Sequence, residues 1–159
     1  MYEQCYSSFT HPRDVIEREG PFSTSSSSVY INRLAPFAIN GFYCFRHNFG
    51  FFSKNINSVN PKINWWMIDL KREITVESII VVVPTDNPPA SYFEHAIIRL
   101  GNDATYSNNM KVFEHNERPE DRMPFTLTFS SSHSGRYLSI ESSKLDHLAL
   151  GLVQVIEKM

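Results

Sequence analysis

The sequence predicts an all-β protein, an antiparallel β-sandwich, and three observations carry that prediction. Short alternating apolar and polar stretches recur along the chain, separated by clusters of Gly, Pro, Asn, Asp and Ser. The longest apolar run, Ile79 to Val83, is short and β-branched, which suits a buried strand. Almost no stretch shows the 3.6-residue period of an amphipathic helix.

Residues 1–27 read as an irregular N-terminal segment. Within it, His11 to Glu19 can hold one short helical turn, ended by Gly20-Pro21. Ser23 and Ser25 to Ser28 form a serine-rich connector, and Val29-Tyr30-Ile31 reads as a short strand. Gly41 to Ile63 is rich in Asn, Phe, Ser and Gly and has no sustained period, the mark of binding loops. Its aromatic residues Phe42, Tyr43, Phe45, Phe49, Phe51 and Phe52 either plug an open end of the sandwich or face a ligand.

Trp65-Trp66-Met67-Ile68-Asp69-Leu70 alternates as a strand. Trp66, Ile68 and Leu70 share one face; Trp65, Met67 and Asp69 share the other. Ile74, Val76 and Ile79 to Val83 continue as strand until Pro84, and Thr85 to Pro89 form a turn. Further strands are expected at Phe93–Leu100, Lys111–Phe113 and Phe125–Phe129. After a turn at Ser134-Gly135, others follow at Arg136–Ile140 and, as one long closing strand, Leu148–Ile156.

At 159 residues the chain suits a single domain large enough to bury its own core. A net charge of −2 without any Lys/Arg run argues against a nucleic acid or an anionic membrane surface as partner. No segment has the apolar length that would insert across a bilayer. The polar start, Met1 to Cys5, lacks the layout of a signal peptide, so the chain is intracellular or a domain cut from a longer secreted protein. Cys5 and Cys44 suit either one disulfide or two unrelated thiols.

Catalytic and metal motifs are missing. Cys44-x-x-His47 has no second pair nearby to complete a zinc site, and no His-Glu-x-x-His, Cys-x-x-Cys, Gly-x-Ser-x-Gly or phosphate-binding loop occurs. His11, His95, His115, His133 and His147 are expected to be solvated or locally bonded, and Glu114 to Arg122 to be a solvated charged loop. Asp69 is one carboxylate where glycosidase chemistry needs two across a cleft. The chain is therefore not expected to be an enzyme.

Four segments, in order, resemble a known family. They are Trp65-Trp66-x-x-Asp69-Leu70, Ile74-x-Val76-x-x-Ile79-x-Val81, Gly135 to Ile140, and Leu148 to Val155, preceded by Pro36-Phe37-Ala38-Ile39-Asn40-Gly41. Together they resemble the F-type lectin (fucolectin) domain of the discoidin-like, galactose-binding-like superfamily. The resemblance covers residues 28–157 and implies a jelly-roll sandwich. It also implies a sugar-binding role and an extracellular setting, secreted or as an ectodomain. In fucose-binding members a His, an Arg, an Asp and a second basic residue grip the sugar. Here those positions fall on Asn57, Pro84, Asp86 and Ser91, so only Asp86 is retained, and the family's adjacent cysteines give way to Asn87-Pro88-Pro89.

The family's structural calcium rests on an Asp and a Glu whose positions here hold Asn40 and Leu152, so the resemblance implies no cofactor beyond a calcium site of neutral carbonyls. The expected ligand is a glycan or glycoprotein, with a specificity other than plain fucose. The site is expected in loops 42–63 and 84–95. Asn57, Asp86, Asn87 and His95 would donate and accept hydrogen bonds, His47 would replace a lost donor, and Tyr43 or Phe45 would stack on the sugar. The alternative is a degenerate sandwich that binds another protein in adhesion or scaffolding, using the same loop aromatics.

Overall fold

The computed structural model describes residues 12–41, 50–83, 93–116, 124–143 and 147–159 in full, and the backbone alone at 5–7 and 42–44. Ten strands and one short helix are assigned among these residues: β1 (Cys5–Ser7), α1 (Val15–Glu19), β2 (Ser23–Ser26), β3 (Phe42–Cys44), β4 (Phe51–Phe52), β5 (Asn64–Val82), β6 (Ala96–Gly101), β7 (Met110–His115), β8 (Phe125–Ser142), β9 (Ala149–Leu150) and β10 (Leu152–Glu157).

Two long bent strands organise the molecule. β5 and β8 pair antiparallel over most of their length, with breaks in register between Asp69 and Ile74 and again between Val76 and Ser78; the first is the corner. Before the break, Trp66–Asp69 also pair with β2, and Tyr137–Glu141 of β8 pair with β6, which in turn pairs with β7. Beyond it, Val76–Val82 pair with β10. One pair of strands thus serves both layers of the sandwich. At the corner, Lys71 takes a positive φ of 69°, its N–H held by the Asp69 carboxylate at 2.8 Å. Asp69 in turn receives two bonds from the Arg136 guanidinium, at 2.7 and 3.0 Å. Asp69 is a corner brace, and its carboxyl is held low by Arg136.

The expected alternation holds where it was clearest. Trp66, Ile68 and Leu70 are fully buried while Trp65, Met67 and Asp69 are half-buried on the outer face. Trp66, Ile68, Ile98, Leu138 and Ile140 from one layer pack with Ile74, Ile79, Val81, Val153 and Val155 from the other in one core. The Trp66 indole N–H, a donor that burial obliges to find an acceptor, bonds to the Ala35 carbonyl at 2.9 Å.

Several expectations are corrected. Segment 1–27 holds the expected helical turn, α1, capped by Asp14 and ended at Gly20, but it is not irregular otherwise: β2 joins the sheet and Val15 enters the core. The strand near the serine connector lies at Ser23–Ser26, and Val29–Ile31 is not strand. Backbone pairing with β5 holds this strand, and just beyond it the Ser27 and Ser28 hydroxyls bond to Asn64 of β5, a tertiary reward that propensity does not register. No turn interrupts β8 at Ser134-Gly135. Gly135 sits there because a Cβ would lie 2.5 Å from the backbone N of Gly101, so only glycine permits this approach. The closing strand is split at Gly151 into β9 and β10, and β9 pairs with β4 instead of the main sheet. His115 is buried at 7 % exposure, with its ring 4.5 Å from that of Phe125.

Candidate functional site

Of the residues expected to bind sugar, Asn57 and His95 are described in full. Asn57 is exposed on a single 3-10 turn, Ile56–Ser58, whose start is capped by the Asn55 side chain accepting from the Asn57 N–H at 2.9 Å. His95 occupies a left-handed turn, φ 63°, just before β6, with its Nε2 3.6 Å from the Glu94 carboxylate. Tyr43 lies in β3 by its backbone. Phe45, His47, Asp86 and Asn87 lie outside the described residues.

A few residues of the 42–63 stretch, Lys54, Ser58–Pro61 and Ile63, help to line a cleft. An open depression of about 650 Å³ lies where the Ser58–Pro61 wall, Lys54 and the Ser26–Val29 turn meet Trp65 and Tyr106. Trp65 points outward because strand alternation puts Trp66 inward. Tyr106 reaches it from the 3-10 turn between β6 and β7. Their rings stack, with centroids 5.1 Å apart and planes at 30°. The Tyr106 phenol is pushed up by burial first and by the Glu141 charge second, so near neutral pH it keeps its proton and can donate. Beneath it Glu141, buried at the side chain, is ion-paired to Arg99, whose guanidinium also donates to the Asn109 carbonyl at 2.9 Å.

The polar rim is fixed by one buried amide. Asn64 accepts at Oδ1 from the Ser28 and Ser27 hydroxyls, at 2.8 and 3.2 Å, and donates from Nδ2 to the Lys54 carbonyl at 2.9 Å. Ser27 accepts from the Trp65 N–H at 2.9 Å, and Ser28 accepts from the Lys54 N–H at 3.0 Å. The serine connector therefore clamps Lys54 and Trp65 into one frame. Lys54, Trp65 and Tyr106 were not singled out as ligand residues from the sequence. The outward alternation of Trp65 was a usable signal; nothing in the pattern joined it to Tyr106.

The two positions at which the resemblance implied calcium ligands lie close together. Asn40 and Leu152 both line a small cavity of about 140 Å³ beside α1, with Asp14 and Glu17. The residues present do not fit calcium. The Asp14 carboxylate already accepts from the N–H groups of Ile16 and Val155 and from Gln154 Nε2, at 3.1, 3.3 and 3.1 Å. N–H donors thus face the oxygens a cation would need, and burial pushes this carboxyl up. Among the described residues no three His, Cys, Asp or Glu side chains gather as a metal site.

In comparisons of sequence alone, no family model matches the chain and no curated protein matches it. Comparison of structures is more informative. A serum f-lectin (fucolectin) of striped bass, Morone saxatilis, superposes with a TM-score of 0.75 at 20% identity over 91% of this chain. The fold is that of an F-type lectin. This chain spans 48% of that f-lectin's length, about half. A Streptococcus pneumoniae fucose binding module superposes with a TM-score of 0.65 at 21% identity, covering 86% of this chain and 91% of the module. A family 32 carbohydrate-binding module from C. perfringens NanJ, solved in complex with galactose, matches at 0.68 and 19%, covering 86% and 93%. The jelly-roll, galactose-binding-like sandwich expected from the sequence is therefore the architecture found.

Proposed function

We propose that the chain is a non-enzymatic carbohydrate-binding module of lectin type, with a specificity different from that of fucose binders and an extracellular site of action. The observation that carries this reading is the outward-facing Trp65 ring backed by Tyr106 in an open cleft rimmed by polar groups. A pyranose has an apolar C–H face and a ring of hydroxyls. An aromatic floor with donors and acceptors around it satisfies both. The structural neighbours support the same class, since their own descriptions name fucose and galactose as ligands. The expected residues Asn57 and His95, with Asp86, Asn87, His47, Tyr43 and Phe45, remain candidates for the loop-end portion of the site.

Protein binding is the second reading, favoured by a separate surface. Tyr30, Ile31 and Leu34 are exposed at 45, 72 and 46 %, and Ile31 adopts φ 52°, strained for a β-branched residue. A glycan-array screen of wild type, Trp65→Ala and Asn57→Ala, with and without a chelator, separates the readings. Sugar-competed binding lost in Trp65→Ala supports the lectin reading. Binding lost in Asn57→Ala but retained in Trp65→Ala moves the site to the loop end. A blank array from folded protein sinks the lectin reading and leaves the Tyr30–Leu34 surface as the one to mutate.

A further inference from the structure

We infer that the Trp65–Tyr106 cleft takes an acidic sugar, one bearing a carboxylate or sulfate, with Lys54 as the group that reads its charge. This rests on the carbohydrate reading above and narrows it. Three observations converge.

The first is the sequence composition around the cleft. From Gly20 to Ile68 there is no Asp or Glu, although the chain holds 17 of them, while Arg33, Arg46, Lys54 and Lys62 all fall within this stretch. In a chain of net charge −2, the segments that build the cleft, Ser26–Val29, Lys54 and Ser58–Trp65, thus hold two cations, Lys54 and Lys62, and no acid. Among the described lining residues Lys54 is the one charged group.

The second is the way Lys54 is held. Its N–H, and its carbonyl through Asn64 Nδ2 and Ser53 Oγ, make bonds of 3.0, 2.9 and 3.0 Å, so the backbone is fixed. Its ammonium makes no hydrogen bond or ion pair among the described residues, in contrast to Lys111, Arg72 and Arg99, which all pair with carboxylates. A pinned base with an uncommitted cation at the rim of an aromatic floor is preorganised for an anion.

The third is the state of the nearest acid. Glu141, below Tyr106, is neutralised by Arg99, so the cleft carries no opposing free carboxylate among the described residues. Ser27 and Ser28 spend their hydroxyl protons on Asn64. The Lys54 ammonium and the protonated Tyr106 phenol are therefore donors with no anion among the lining residues to compete for them.

The test uses two sugars that differ at one carbon. Methyl galactoside and methyl galacturonide are titrated separately into ¹⁵N-labelled full chain, at low and high salt, with wild type, Lys54→Gln and Lys54→Arg. The expected result is roughly fivefold tighter binding of the galacturonide, as one partly exposed charge contact supplies. Amide shifts should centre on Lys54, Trp65 and Tyr106. The preference should vanish in Lys54→Gln, survive in Lys54→Arg and shrink at high salt. Equal affinity for both sugars with shifts at Trp65 overturns the acidic-sugar inference and leaves the carbohydrate reading standing. No shift with either sugar overturns both for this cleft, as does a preference for the acid that Lys54→Gln leaves intact with shifts elsewhere.

Discussion

The Asn64 side chain holds Lys54 in place, its Nδ2 donating to the Lys54 carbonyl at 2.9 Å while its Oδ1 takes the hydroxyl protons of Ser27 and Ser28. Asn64 is 1 % exposed. Asn64→Ala strips two hydroxyls of their acceptor and leaves the Lys54 carbonyl with Ser53 Oγ alone, which costs about 2 kcal/mol in a buried network. Urea denaturation should show that loss as a lower midpoint at unchanged slope. Ligand binding should weaken in the same variant, because Lys54 and Trp65 lose their shared frame. A stability change within about 0.5 kcal/mol would show that the network carries little of the fold.

Trp66 anchors the core from the opposite face of the same strand. Trp66→Phe removes the buried N–H that the Ala35 carbonyl accepts, and also some ring volume, so a loss of about 2–4 kcal/mol is expected. Trp65→Phe, at a half-buried position, should cost under about 1 kcal/mol. Equal costs for the two would contradict the inward–outward assignment.

Acid should loosen the cluster at the helix end. Glu19 is lowered from 4.5 to about 2 by hydrogen bonds from Arg72 first and Arg18 second. Its folded value lies below its unfolded value, so its contribution is complete above about pH 4.5 and is lost as the pH falls toward about 2. Glu157 is shifted the same way by the same two arginines. The difference in melting temperature between wild type and Glu19→Gln should therefore be largest near neutral pH and close up below pH 4.5. A difference that stays constant down to pH 2 would show that the ion pairs add nothing.

The register of β1 with β3 sets Cys5 opposite Cys44. Antiparallel partners lie about 4.5–5.5 Å apart at Cα, within the span of a disulfide. Under an oxidant such as glutathione disulfide, the two thiols should lose two electrons and two protons to form one bond. Alkylation of the unreduced protein should then label neither cysteine, and Cys5→Ser should lower stability by about 3 kcal/mol. Two alkylated cysteines after such treatment would leave the reading of two separate thiols.

How much of this was legible in the sequence follows from where local pattern and tertiary contact agree. The Trp65–Leu70 and Ile74–Val83 stretches were readable because strict alternation or β-branching survives a buried environment. The Ser23–Ser26 strand was not, since serine has poor strand propensity and is held there by its place beside β5. Gly135 signalled a turn by its usual habit, whereas it marks a close backbone approach inside a strand. The missing calcium carboxylates at Asn40 and Leu152 were readable residue by residue. The engagement of Asp14 by three N–H groups was not, because Val155 and Gln154 lie at the far end of the chain. The cleft shares only part of its wall with the expected loops. Its floor joins Trp65 to Tyr106 across a sheet, and sequence spacing does not encode that contact.

Acrylamide quenching of tryptophan fluorescence tests the central claim most directly. The chain has two tryptophans, and Trp66 is fully buried, so accessible quenching reports Trp65. The glycan with the strongest array signal, added at saturation, should shield Trp65 and lower the quenching slope toward that of Trp65→Phe. A glycan that binds tightly while the slope stays at its free value would contradict the account and place the sugar away from the Trp65–Tyr106 cleft.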